Sequence, residues 1–188
     1  MTLPVPLRFS KMHGAGNDFV IIDRRKAEVR LAPERVARMA DRHRGIGFDQ
    51  LITIEAPRSA GALAAYSILN ADGSPAAQCG NGARCVAAWL LRDGAVAEGG
   101  LVLDSPAGRI VARTNAHGIV IDMGVPDFSP RAIGLAREQA DPYRFALDDG
   151  IIEAGAVSMG NPHLVITVPD VAQADVARIG SALQRDAA

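Results

Sequence analysis

An eight-residue stretch near the start, GNDFVIID at residues 16–23, is echoed by GNPHLVIT at residues 160–167. Each copy precedes a helix-prone run containing Val-Ala-Arg and an apolar residue, Val36 to Met39 in the first and Val176 to Ile179 in the second. Two matches in one order with similar spacing describe a diverged duplication, so the chain is expected to fold as two related units. The Gly- and Pro-rich segment GVPDFSPRAIG that follows Met123 marks the boundary, giving units 1–123 and 124–188. The copies differ in extent. Cys79 lies 62 positions after Asn17, and the same step from Asn161 leads to position 223, past Ala188. The expectation is one full copy and the opening of another.

Apolar runs bounded by Gly, Asn and Asp read as strands at 8–12, 19–23, 50–55, 63–70, 101–104, 109–114 and 118–123, with RTNAHGIV as a hairpin turn. Two helices interrupt them. One spans 33–43, with proline in its first turn and Val36, Met39 and Ala40 on one face; the other spans about 81–92. The second unit adds strands at 151–158 and 164–168 and a closing helix at about 171–184. With 48% hydrophobic residues in 188, core material is not limiting.

A net charge of −1, with Arg scattered among Asp and Glu, argues against a protein that binds nucleic acid through phosphate contacts. The start, MTLPVPLRFSKMHG, has no basic segment followed by a long apolar one, and the longest apolar run, 85–91, is too short to cross a bilayer. No membrane association is expected. The expected location is cytoplasmic, where thiols stay reduced.

Both cysteines fall in QCGNGARC. Cys79 stands where a loop enters a helix, so the N–H groups of Gly80, Asn81 and Gly82 can point at its sulfur, and the helix dipole there favours a thiolate. The same N–H groups suit a substrate carboxylate. Cys85 falls six residues on, on another face of the helix, and reads as a small apolar filler of the core. The spacing is not that of a zinc site and no second Cys or His pair completes one, so no metal is expected. A disulfide between the two would oppose helix geometry and compartment.

Several amides share Gly-rich or apolar surroundings: Asn17, Gln50, Asn70, Asn81 and Asn161. Each on its own suits a turn, and as a set around one thiolate they suit a site for a zwitterion. His163 reads either as a surface histidine or as a group that sets the protonation of a neighbour. His13, His43 and His117 have no comparable context.

The segments FSKMHGAGNDFVIID, GIGFDQ, NADGSPAAQCGNGARC and VSMGNPHLVI, in this order, closely resemble the diaminopimelate epimerase family, with Cys-Gly-Asn-Gly the most diagnostic. The resemblance implies an α/β (α+β) fold of two pseudo-symmetric domains, each a mixed or antiparallel sheet wrapped around a central helix, the second domain here being incomplete. It implies an epimerase that needs no cofactor and interconverts LL- and meso-diaminopimelate in lysine and peptidoglycan precursor synthesis, as a homodimer in its full-length form. Two cysteines, one per domain, flank the substrate α-carbon as base and acid, since inversion needs both on opposite faces. By that resemblance Cys79 is the first catalytic cysteine, and Gly80 and Asn81 bind the carboxylate. Asn17, Gln50, Asn70 and Asn161 contact substrate, and His163 tunes the cysteine pair.

The family's second cysteine, in a Cys-Gly-Thr-Gly or Cys-Gly-Ser-Gly segment with an Asn and a Glu-Arg pair before it, has no counterpart before Ala188. The chain alone is therefore expected not to complete the two-base reaction. Alternatives are a racemase of the same fold for another amino acid, a phenazine-biosynthesis type isomerase, against which Cys79 counts, and a non-catalytic fragment, which predicts a tightly buried Cys79.

Overall fold

The computed structural model describes residues 6–26, 29, 31–95 and 99–186. The chain divides into two compact units, Met1–Met123 and Gly124–Ala188. The first contains β1 (Ser10–Gly14), β2 (Asn17–Asp23), α1 (Pro33–Ala40), β3 (Gln50–Glu55), β4 (Ala64–Asn70), β5 (Pro75–Ala76), α2 (Gly80–Arg92), β6 (Leu101–Ser105), β7 (Gly108–Asn115) and β8 (Gly118–Asp122). Its eight strands form one mixed sheet in the order β1-β2-β3-β4-β6-β7-β8, with β5 on β4. Pairing is antiparallel except where β2 meets β3 and, briefly, where β4 meets β6.

The sheet curls around α2, which touches β1 and β8, the two ends of the strand order, as well as β2, β3 and β7. The cause lies in the helix sequence. Ala83, Cys85, Val86, Ala87 and Leu90 are all buried, and a helix apolar on most of its circumference needs walls on most sides. Gly82 lets the walls come close, since a Cβ there would stand 2.8 Å from Ile52 Cδ1. Phe19, Ile21, Ile52, Ile54, Tyr66, Ile68 and Leu103 line the inner face of the sheet. The outer face of β2 and β3, Val20, Ile22 and Leu51, is covered by Val36 and Ala40 of α1. Burial on both faces explains why β2 reads as an unbroken apolar run.

Helix α1 stops at Ala40 rather than running on to 43. The Asp41 carboxylate accepts the N–H groups of His43 and Arg44, offering the backbone a turn in place of another helical bond. Gly45 then folds beneath the helix end, where a Cβ would lie 2.2 Å from the Arg38 carbonyl oxygen.

The second unit contains α3 (Pro130–Ile133), β9 (Tyr143–Leu147), β10 (Gly150–Ser158), β11 (Pro162–Val165), a 3-10 turn (Val171–Gln173) and α4 (Val176–Asp186). Its sheet runs β11-β10-β9, antiparallel throughout, with Tyr143, Phe145, Ala154 and Ala156 packed on Ile133, Leu135 and Leu183. The expected closing helix is split. Asp170 accepts the Ala172 N–H at 2.9 Å and Asp175 that of Arg178 at 3.3 Å, so two acidic side chains each start a separate element.

The sequence echo is also an echo of pairing. Met12 faces Phe19 and Ser10 faces Ile21 across β1 and β2; at the echoed positions Val157 faces His163 and Gly155 faces Val165 across β10 and β11. In the first unit Phe19 and Ile21 lie in the core that includes α2, at 0% and 1% exposure. In the second, Val165 is 58% exposed, and Ile151, on the same face of β10, is 64% exposed.

Candidate functional site

One end of the large sheet collects the candidate amides of the first unit. Asn17 opens β2, Gln50 opens the parallel β3, and Asn70 closes the antiparallel β4 directly opposite Gln50. The N-terminus of α2 arrives at the same end, because Cys79 caps the helix within reach of Asn17.

Cys79 holds an extended conformation, φ −147° and ψ 106°, and its side chain takes the place of the usual N-cap oxygen. The sulfur accepts the Gly82 N–H at 3.4 Å, and the thiol donates to Asn17 Oδ1 at 3.7 Å. Of the helix's first N–H groups, that of Gly82 is used by the sulfur and that of Ala83 by the Cys79 carbonyl. The N–H groups of Gly80 and Asn81 are the remaining orphans of the helix start, available to an anion. Gly80 sits against the Met123 side chain, and a Cβ there would lie 2.9 Å from Met123 Sδ, so a larger residue would push the thioether aside. The Asn81 side chain accepts a hydrogen bond from Arg84.

Beneath the cap, the Tyr66 hydroxyl donates to Gln78 Oε1 at 3.4 Å, and burial pushes the Tyr66 phenol well above its ordinary range. Cys79 is half-buried, unlike Cys85, which is 4% exposed in the core of α2 and whose thiol burial pushes up. Both are free thiols. The tight burial of Cys79 that a non-catalytic fragment predicts is not found.

Gln50 Nε2 donates to Asn70 Oδ1 at 3.1 Å, and Asn70 Nδ2 donates to Ser74 Oγ at 3.1 Å. The Asn70 carbonyl also accepts the Gly73 N–H, so this residue serves the turn and the sheet end together. Gln50 Oε1 is buried with no hydrogen-bond partner, which leaves an acceptor for a ligand's donor. In the second unit, Asn161 ends the β10–β11 turn and His163 lies in β11, with His163 Nε2 3.2 Å from Asn161 Oδ1. Among the described residues no group of three or more His, Cys, Asp or Glu side chains is placed to hold a metal, and no helix is long and apolar enough to cross a membrane.

A ring of charge that sequence reasoning passed over surrounds Asn17. Asn17 Nδ2 donates to Asp49 Oδ2 at 2.7 Å, and the Asp18 N–H donates to the same oxygen at 3.0 Å. Arg42 bridges Asp49 Oδ1 and Asp18 Oδ1, each at 2.8 Å, and Lys11 Nζ lies 2.8 Å from Asp18 Oδ2. The Arg42 guanidinium, with help from Lys11, holds the Asp18 carboxyl far below the usual carboxylate range. The available signal was that each acid is the immediate neighbour of a candidate amide, Asp18 of Asn17 and Asp49 of Gln50.

A family model described as diaminopimelate epimerase matches residues 9–129. The chain is 52% identical over 185 residues to a diaminopimelate epimerase of Xanthomonas axonopodis pv. citri, covering 97% of this chain and 65% of that protein. A diaminopimelate epimerase of Xylella fastidiosa is 50% identical over 186 residues, covering 97% of this chain and 66% of that protein. The chain thus spans about two-thirds of the length of these relatives, just under it in both cases. Among solved structures, it resembles a probable proline racemase from Agrobacterium radiobacter, with a TM-score of 0.62 at 18% identity over 93% of this chain and 53% of that one. A hydroxyproline epimerase from Agrobacterium vitis gives a TM-score of 0.60 at 17% identity, over 92% of this chain and 52% of the other. At those identities the similarity speaks for the fold, a mixed sheet wrapped around a helix. Half of its residues shared across nearly its full length with proteins of one name settle the nearer kinship, and the chain belongs to the diaminopimelate epimerase family.

Proposed function

We propose that this chain carries the Cys79 half of a cofactor-independent epimerase that interconverts LL- and meso-diaminopimelate in lysine and peptidoglycan precursor synthesis. The observation that carries the reading is Cys79 itself: a half-buried thiol capping α2, with an N–H donor on one side of the sulfur and an amide acceptor on the other. In the proposed reaction the Cys79 thiolate takes the α-proton from one face of the substrate. The electron pair left on carbon spreads into the α-carboxylate, which the N–H groups of Gly80 and Asn81 hold and stabilise. An opposing thiol returns a proton to the other face, inverting the centre. Asn17, Gln50, Asn70 and Asn161 bind the polar ends of the substrate, and His163 tunes the protonation of the thiol pair.

The opposing acid comes from outside these residues. The chain has two cysteines, and Cys85 is sealed in the core of α2. In this reading 1–123 is one domain and 124–188 the opening of its homologue, the whole enzyme being a cytoplasmic homodimer. The test is incubation of the chain with LL-diaminopimelate in D2O. Slow α-deuteration without meso product, absent in Cys79→Ser, is expected. Full turnover by the chain alone would refute the need for a second thiol, and exchange surviving in Cys79→Ser would refute the role of Cys79.

A further inference from the structure

We infer that Asp49 is a positioning residue for Cys79, acting through Asn17: its carboxylate fixes which end of the Asn17 amide faces the sulfur. The inference deepens the reading of Cys79 as an acid/base group and rests on it. An amide is close to symmetric in shape but not in function, since one end only accepts and the other only donates. An ionised carboxylate accepts only, so the end of Asn17 turned toward Asp49 Oδ2, 2.7 Å away, has to be the NH2. The carbonyl oxygen then points the other way, toward Cys79 Sγ at 3.7 Å. The sulfur meets one donor, the Gly82 N–H, and one acceptor, Asn17 Oδ1. The thiol hydrogen is thereby directed at Asn17 Oδ1.

Asp49 is itself held for this task. Its Oδ2 also accepts the Asp18 N–H at 3.0 Å, its own N–H donates to Asp18 Oδ1 at 2.9 Å, and Arg42 grips both carboxylates. These bonds join the start of β2 to the residue before β3, so the carboxylate swings away only by giving up the Asp18 N–H and Arg42 together. Without Asp49, the amide is free to turn its NH2 to the sulfur, adding a second donor and favouring the thiolate. Lys11, Asp18 and Arg42 complete the charge cluster, and among the described residues none of their side chains hydrogen-bonds the Asn17 amide or Cys79; Tyr66 and Cys85 are titratable groups that interact electrostatically with Cys79.

The experiment measures the rate at which iodoacetamide alkylates Cys79, read by mass spectrometry, in the wild type, Asp49→Ala, Asn17→Ala and the double variant, with folding checked by circular dichroism. Asp49→Ala is expected to raise the rate about fivefold, the worth of one net hydrogen bond, and to have no further effect once Asn17 is Ala. An unchanged rate in Asp49→Ala, or an equal change in both backgrounds, would overturn the inference, the latter being the signature of a merely structural Asp49. Should Asp49→Ala fail to fold, Asp49→Asn makes the same comparison, because an amide at 49 both donates and accepts and no longer dictates how Asn17 lies. Alkylation reads the thiol whether or not any turnover occurs, so its outcome is independent of the D2O experiment above.

Discussion

Asp104 is the one charged residue buried among the described residues, 7% exposed in β6, and its surroundings explain why it stays ionised. Ser59 Oγ donates to Oδ1 at 2.5 Å, and the N–H groups of Arg58 and Ser59 donate to Oδ2 at 2.8 and 2.9 Å. These bonds, led by the Ser59 hydroxyl, hold the carboxyl below its ordinary range, as Arg25 does for Asp23 and Arg42 for Asp18. In each case the folded state binds the proton less readily than the unfolded chain. The stabilisation is therefore present above the unfolded value of about 4 and is lost as pH falls toward the folded value. The urea midpoint should drop between about pH 5 and 3, and Asp104→Asn should lower it at pH 6 while making the drop shallower. An equally steep drop in the variant would show that Asp104 is not among the groups responsible. Of the candidate site's side chains, Cys79 was legible as the residue that leads into α2, because the Gly-Asn-Gly after it marks the helix start. Asp49 was not, because its role depends on Asn17, 32 positions away, and on a parallel β2–β3 pairing that no local pattern announces.

Helix α2 shows where stability and chemistry part company. A thiol is a weak hydrogen-bond acceptor, whereas Ser is among the best N-cap residues. Cys79→Ser should stabilise the fold by about 1 kcal/mol relative to Cys79→Ala, read from urea midpoints, while removing the proposed proton transfer. Equal midpoints would mean that the Gly82 N–H finds a partner as good without the residue 79 side chain. Among the elements, the strands of the large sheet other than the two-residue β5 were visible in their apolar runs, and the β7–β8 hairpin in its Asn-Ala-His-Gly turn, where the His117 N–H donates to Asn115 Oδ1. Strand β9 was missed although Tyr143, Phe145 and Leu147 alternate, because Asp141-Pro142 stands directly before it and Asp148-Asp149-Gly150 directly after. Helix α3, four residues long, is too short to show a period.

The two units differ in how completely they close. The first buries both faces of β2 and β3, under α2 and α1, whereas the second has a seven-residue core and an apolar cavity of about 450 Å³ between β11 and α4, lined by Ile133, Leu164, Ile166, Ile179 and Leu183. A small unit with unfilled space opens at lower free energy. Amides of β9–β11 should therefore exchange with deuterium at a lower urea concentration than those of β3, β4 and α2, and uniform protection would contradict this. The echoed segments each supply the second strand of an antiparallel pair, β1–β2 in the first unit and β10–β11 in the second. What no local pattern announced is the apolar surface that Val165 and Ile151 present on one face of the second sheet. That surface has a consequence for the molecule's life among other proteins. Valine and isoleucine facing water, beside a strand paired on only one side among the described residues, are what a neighbouring strand adds to, so this edge is where another chain would first join the sheet.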